Sequence, residues 1–101
     1  MTYENIDPVL RHWAERHQLQ LFTSYQDSDV RTVFVHGADN QRGQIWVDPP
    51  SRDGAIVIHA AVYRRAERSN QHSVASAERE NLESLLEDAY AKVLDWLEES
   101  S

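Results

Sequence analysis

Few side chains in this chain can do chemistry, and none of them falls at a recognised spacing. Cysteine is absent, which removes thiolate catalysis, disulfides and cysteine-based metal sites. Among the five histidines, His12 and His17 are five apart and so do not share one side of a helix. His36 and His59 fall in extended stretches and, with Asp48, outline a metal or acid–base site whose spacing carries no specificity. No HExxH, GxSxG, phosphate-cradling glycine loop or EF-hand loop is present. Gly37, Gly43 and Gly54 sit in predicted turns, where a permissive backbone is useful. Arg64, Arg65 and Arg68 form a small basic cluster, read as a solvated linker or as a contact for a phosphate or a partner's carboxylates. These residues lean against an enzyme and imply no cofactor and no metal.

At 101 residues the chain has the length of one domain, residues 1–101, with room for a real core. Its hydrophobic content of 41% and charged content of 27% suit a soluble globular protein. No apolar run approaches the length of a membrane span, and the first residues lack the basic and apolar segments of a secretory signal. Cytoplasm is the expected location. The net charge is −7, and residues 74–101 supply most of it, with eight acids against two bases. That balance argues against a phosphate backbone as partner, because such binding relies on Lys and Arg. Nine of the ten bases are Arg, as in proteins from GC-rich bacterial genomes.

The strongest pattern is the C-terminal stretch, residues 76–98. At 100° per residue, Leu82, Leu85, Leu86, Ala89, Tyr90, Val93, Leu94, Trp96 and Leu97 share one arc, while the acids share the other. The spacing predicts one long amphipathic helix, capped by Ser73 or Ser76, with Asp88 and Lys92 as a favourable pair four apart. A shorter helix is predicted over residues 8–18. Asp7 serves as its cap and Pro8 opens it, and Val9, Leu10, Trp13, Ala14 and His17 lie on its apolar side. His17 reads either as a packed histidine bonded to backbone or as a ligand or pH switch.

Between the helices the period changes to two. Strands are expected over residues 19–25, 30–35, 44–47 and 55–63, with turn formers between them. Pro49 and Pro50 stop the third strand. Residues 64–72 read as a polar connection to the last helix. Short links favour antiparallel hairpins. The predicted fold is a two-layer α+β domain: an N-terminal helix, a three- to four-stranded antiparallel meander and a long C-terminal helix, both helices on one sheet face. Helix–strands–helix order also resembles the double-stranded-RNA-binding domain. That domain grips phosphates with lysines at the start of its second helix, and the corresponding SVASAERENLES is acidic. The resemblance therefore fails on charge. In size, charge and element order the chain is similar to secretion chaperones and toxin-immunity proteins.

Alternation assigns the faces. Leu21, Val33, Val35, Ile45, Val47, Ile56 and Ile58 are expected beneath the helices. Phe22, Phe34, His36, Trp46, Val57, His59 and Tyr63 are expected on the other side. A solvated sheet face is usually polar; this one carries aromatics, which dominate contact surfaces. The sequence therefore predicts a non-enzymatic protein–protein interaction module of immunity- or chaperone-like use, in contact with another protein or with a second copy of itself. The partner-binding residues are Phe22, Phe34, His36, Trp46, His59 and Tyr63. The alternative is a small-molecule or metal-binding domain, enzymatic or not, with its site on that same open face.

Overall fold

The computed structural model describes residues 3–37, 41–63 and 72–99, the side chains of Tyr63 and Glu99 excepted. The elements run α1 (Asp7–Arg16), β1 (Phe22–Tyr25), β2 (Ser28–His36), β3 (Arg42–Val47), β4 (Ile56–Tyr63), β5 (His72–Ala77), a 3-10 turn (Arg79–Asn81) and α2 (Leu82–Glu99). All strands pair antiparallel in chain order. The α+β class and the meander agree with the sequence reading, but the sheet has five strands, not three or four.

The additional strand, β5, occupies residues read from sequence as the end of a connection and the start of the last helix. His-Ser-Val-Ala-Ser-Ala has one large apolar residue and little strand signal of its own. Its unbroken pairing with β4, from Ile56↔Ala77 to Ala61↔His72, makes it a strand, because β structure is set by neighbours more than by propensity. Ser73 and Ser76 therefore lie in β5 and do not cap the helix. The chain turns through the 3-10 segment, and α2 begins only at Leu82.

Alternation holds along each long strand. Val33, Val35, Ile45, Val47, Ile56, Ile58, Ala60 and Val62 are buried in one cluster with Leu10 and Trp13 of α1 and with Leu82, Leu86, Val93 and Leu97 of α2. Gly43 belongs to this layer. A Cβ built there would collide with Val93 Cγ1 of α2, so its role is close helix approach and not a turn angle. Gly54, with φ of 87°, is the glycine that a turn requires.

The β1–β2 hairpin closes through Gln26 and Asp27, both at positive φ, between paired Tyr25 and Ser28. This is the backbone of a two-residue primed turn, built here without its usual Asn-Gly. At α1, Asp7 lies within the helix and makes no cap bond. Its carboxylate instead takes two hydrogen bonds from buried Arg31 of β2, Nε at 2.6 Å and Nη2 at 3.1 Å. The Arg31 guanidinium lies 4.3 Å from the centre of the Tyr3 ring, and the Tyr3 hydroxyl donates to the Val47 carbonyl at 2.9 Å. These contacts tie the chain start and α1 to β2 and β3.

The two helices are joined by charge. Arg16 pairs with Glu83 at 3.0 Å and also with Glu87. His17 Nε2 lies 2.7 Å from the same Glu87 carboxylate, and the His17 ring packs 4.4 Å from that of Tyr90. His17 is thus a packed histidine, held by a side chain and not by backbone. Lys92 donates to Ser73 Oγ of β5 at 3.2 Å; no Asp88–Lys92 bridge forms among the described residues.

Candidate functional site

The sheet face away from the helices carries the even-numbered residues of β2, β3 and β5 and the odd-numbered residues of β4. Among the described residues no element covers it. In-register pairing sets Thr32, Trp46, His59 and Val74 in one row, and Phe34, Gln44, Ala61 and His72 in the next. Cross-strand neighbours on one face stand close enough for their side chains to touch, and ring contacts follow. Phe22 of β1 meets Phe34 edge-on at 5.8 Å. Trp46 and His59 lie parallel at 4.7 Å. His72 joins them at 5.7 and 5.8 Å, also near parallel.

Beside these rings, Phe22, Tyr25, Phe34, Trp46, Arg42 and Tyr3 line an open trough of about 730 Å³ over β1, β2 and β3. The polar groups of its floor are engaged with one another. Gln44 Nε2 donates to Thr32 Oγ1 at 3.0 Å, and that hydroxyl donates to the Ile45 carbonyl at 3.3 Å. Arg31, at one end, is held by Asp7 and by Asp29, the latter at 2.6 Å. These carboxylates hold the guanidinium firmly protonated, the Asp7 hydrogen bond contributing most. Arg42, at the other end, lies 4.7 Å over the Phe34 ring.

His59 Nε2 is 2.8 Å from Asp48 Oδ2. The carboxylate fixes the tautomer with the proton on Nε2. His59 Nδ1 is buried and has no partner. A histidine that works as acid or base must present a nitrogen to its substrate; here one nitrogen is occupied and the other is closed off. No described cluster of three or more His, Asp or Glu could hold a metal ion.

No match was found among models of known protein families, curated proteins or solved structures. The site must therefore be read from its own residues.

Of the residues expected on this face, Phe22, Phe34 and Trp46 share the trough, and His59 lies outside its lining, stacked on Trp46. His36 lies exposed at the end of β2, apart from the His59–Asp48 pair, so the three do not assemble. The Tyr63 side chain and the Arg64, Arg65, Arg68 cluster lie outside the described residues. Sequence reasoning missed His72 and Val74, because both belong to the unforeseen β5. It also missed Arg42, whose place over Phe34 follows from β2–β3 register. A strand reading that began two residues earlier, at Arg42, would have put it on this face. No described helix is long and apolar enough to cross a membrane.

Proposed function

We propose that this chain is a non-enzymatic protein-binding module whose contact surface is the open sheet face. One observation supports it most: a sheet face with no described cover that carries Phe22, Phe34 and Trp46 around a trough, its floor polar groups already bonded within the protein. Such a surface is costly to leave in water and gains by meeting another apolar surface. Exposure of Phe22 reaches 38% and of Tyr25 66%, values suited to aromatic anchors at a binding surface. The partner is another protein. Nucleic acid is disfavoured by the net charge of −7. The acidic side of α2, with Asp88 and Asp95 exposed, lies across the sheet from the trough and steers a basic partner toward the molecule without forming the contact.

The test is a pair of variants assayed against the same partner. Phe34→Ser with Trp46→Ser keeps the helix-side core intact and is expected to abolish association. Asp88→Asn with Asp95→Asn is expected to slow association and weaken its salt dependence while preserving the complex. Binding that survives the first pair overturns the reading.

A second reading rests on the trough volume, which lies within the range of small-molecule sites, and on the parallel Trp46, His59 and His72 rings, which offer stacking planes to a flat ligand. A saturable thermal shift from a metabolite screen, lost in His59→Ala, would favour it.

A further inference from the structure

The third strand carries opposite charges at its two ends, and both fall on the open face. Side chains alternate along a strand, so Arg42, Gln44, Trp46 and Asp48 form one row there. Asp48 stands one residue past the end of β3 but keeps the ladder, its N–H donating to the Val57 carbonyl at 3.0 Å. All four residues line the trough. Six steps of about 3.4 Å separate its two charged ends by roughly 20 Å. Between them lie the rings of Phe22, Phe34 and Trp46.

The surroundings keep the two signs apart. At the Asp48 end, Arg31 is shared by Asp7 and Asp29. With Asp48 that end holds three carboxylates against one guanidinium, a net of −2. The Asp48 side chain is 48% exposed, and His59 engages its Oδ2. Its charge is felt within the trough: burial first, and then the Asp48 carboxylate, raise the pKa of the Tyr3 phenol, and the effect of Asp48 exceeds the opposing one of Arg31. At the other end Arg42 is exposed and lies over the Phe34 ring. A ring contact spends none of the guanidinium N–H donors on a hydrogen bond, and a carboxylate takes such donors in pairs.

We infer that the trough takes an extended segment of a partner protein with a basic side chain at one end, an acidic one at the other and apolar side chains between. This rests on the open face being the contact surface and specifies what lies on it. An extended segment turns every second side chain toward the sheet, and about seven residues span the trough. The first inward side chain, Lys or Arg, meets Asp48. The next two fall on Trp46 and Phe34, and the fourth, Asp or Glu, meets Arg42. A segment running the other way carries the same groups in reverse order. The charges of a single amino acid sit too close together to reach both ends. A second copy would set one concave surface against another and leave the rings uncovered. The apolar side chains supply most of the affinity, and the exposed ion pairs select among segments.

The experiment titrates the isotope-labelled full chain with four capped peptides of about seven residues, followed by magnetic resonance at the Trp46 indole N–H and the Gln44 amide, in about 20 mM salt. Every peptide has Leu and Phe as its two inner inward-facing residues and Ser between. The ends are Lys and Glu, Gln and Gln, Glu and Glu, or Lys and Lys. The Lys and Glu peptide is expected to move both signals saturably and to bind about tenfold more tightly than the Gln and Gln peptide. Arg42→Glu makes both ends acidic and should exchange the preference: the Lys and Lys peptide then binds best. Equal binding of the Lys and Glu and the Gln and Gln peptides overturns the inference while leaving the open face as contact surface. A preference that Arg42→Glu does not change overturns it too, and so does the absence of any shift at Trp46 from all four peptides. Signals that move when the chain alone is concentrated would give the trough to a second copy and likewise overturn it.

Discussion

Replacing Arg31 with Met should destabilise the protein far more than an ordinary surface change. Arg31 is 9% exposed and holds Asp7 of α1 through two hydrogen bonds. It also donates to the Val30 and Thr23 carbonyls and covers the Tyr3 ring. The Met stem can keep the contact with Tyr3 but none of the donors. Its bond to Asp29 adds little, since that carboxylate side chain is 66% exposed. The Asp7 pair dominates, because the Asp7 side chain is 20% exposed and would be left charged without a partner. Breaking a buried pair from one side costs about 3–5 kcal/mol. The lower end applies to a pair at the margin of the core, so we expect about 3 kcal/mol. For a domain of this size each kcal/mol lowers Tm by about 4–8 °C, which gives a fall of at least about 12 °C. Urea unfolding followed by circular dichroism measures the free energy, and an unchanged m-value confirms that the same surface unfolds. Adding Asp7→Asn to Arg31→Met should recover about 1 kcal/mol or more, because the stranded charge is gone and the two sites are coupled. A loss below about 1 kcal/mol for Arg31→Met, or strict additivity of the two changes, would refute this account of the α1–β2 tie.

Three other outcomes follow from the geometry. Gly43→Ala drives a methyl into Val93 of α2 and should cost about 1–3 kcal/mol by overpacking, read by the same unfolding assay. Changing Gln26-Asp27 to Asn-Gly relieves two positive-φ positions and should raise stability by about 0.5–1 kcal/mol; a decrease would mean that the turn is not of the primed kind. In acid, Asp7 and Glu87 act together. The Arg31 hydrogen bond holds the Asp7 carboxyl below its ordinary 3.8, and the His17 hydrogen bond, followed by that of Arg16, holds Glu87 below its ordinary 4.5. Both folded values are depressed, so the stability they supply is present above those ordinary values and is lost as pH falls through the depressed ones. Stability measured downward from about pH 4.5 should decline, and Asp7→Asn should flatten part of that decline.

The parts legible in the sequence were those in which one residue's environment repeats at a fixed period. The α2 arc and the alternation of β2, β3 and β4 are set by burial on one side, so residue type reports position. Phe22, Phe34, Trp46 and His59 were placed on the open face by that rule alone. What could not be read depended on contacts between distant residues. β5 is a strand because β4 lies beside it, and its small residues carry almost no signal. Asp7 looked like a cap because the partner that claims its carboxylate, Arg31, is remote in sequence. Gly43 looked like a turn glycine because nothing local reveals the helix pressed against it. The His36–His59–Asp48 grouping failed for a similar reason: shared facing does not bring residues to the same end of a sheet.

The most direct test of the open sheet face as contact surface is site-specific photocrosslinking in cells, with a photoreactive phenylalanine at Phe22 in one variant and at Ser84 on the exposed side of α2 in another. The proposed function predicts a discrete protein adduct from position 22, lost when Phe34→Ser and Trp46→Ser are added, and little or none from position 84. An adduct from position 84 with none from position 22 would contradict it.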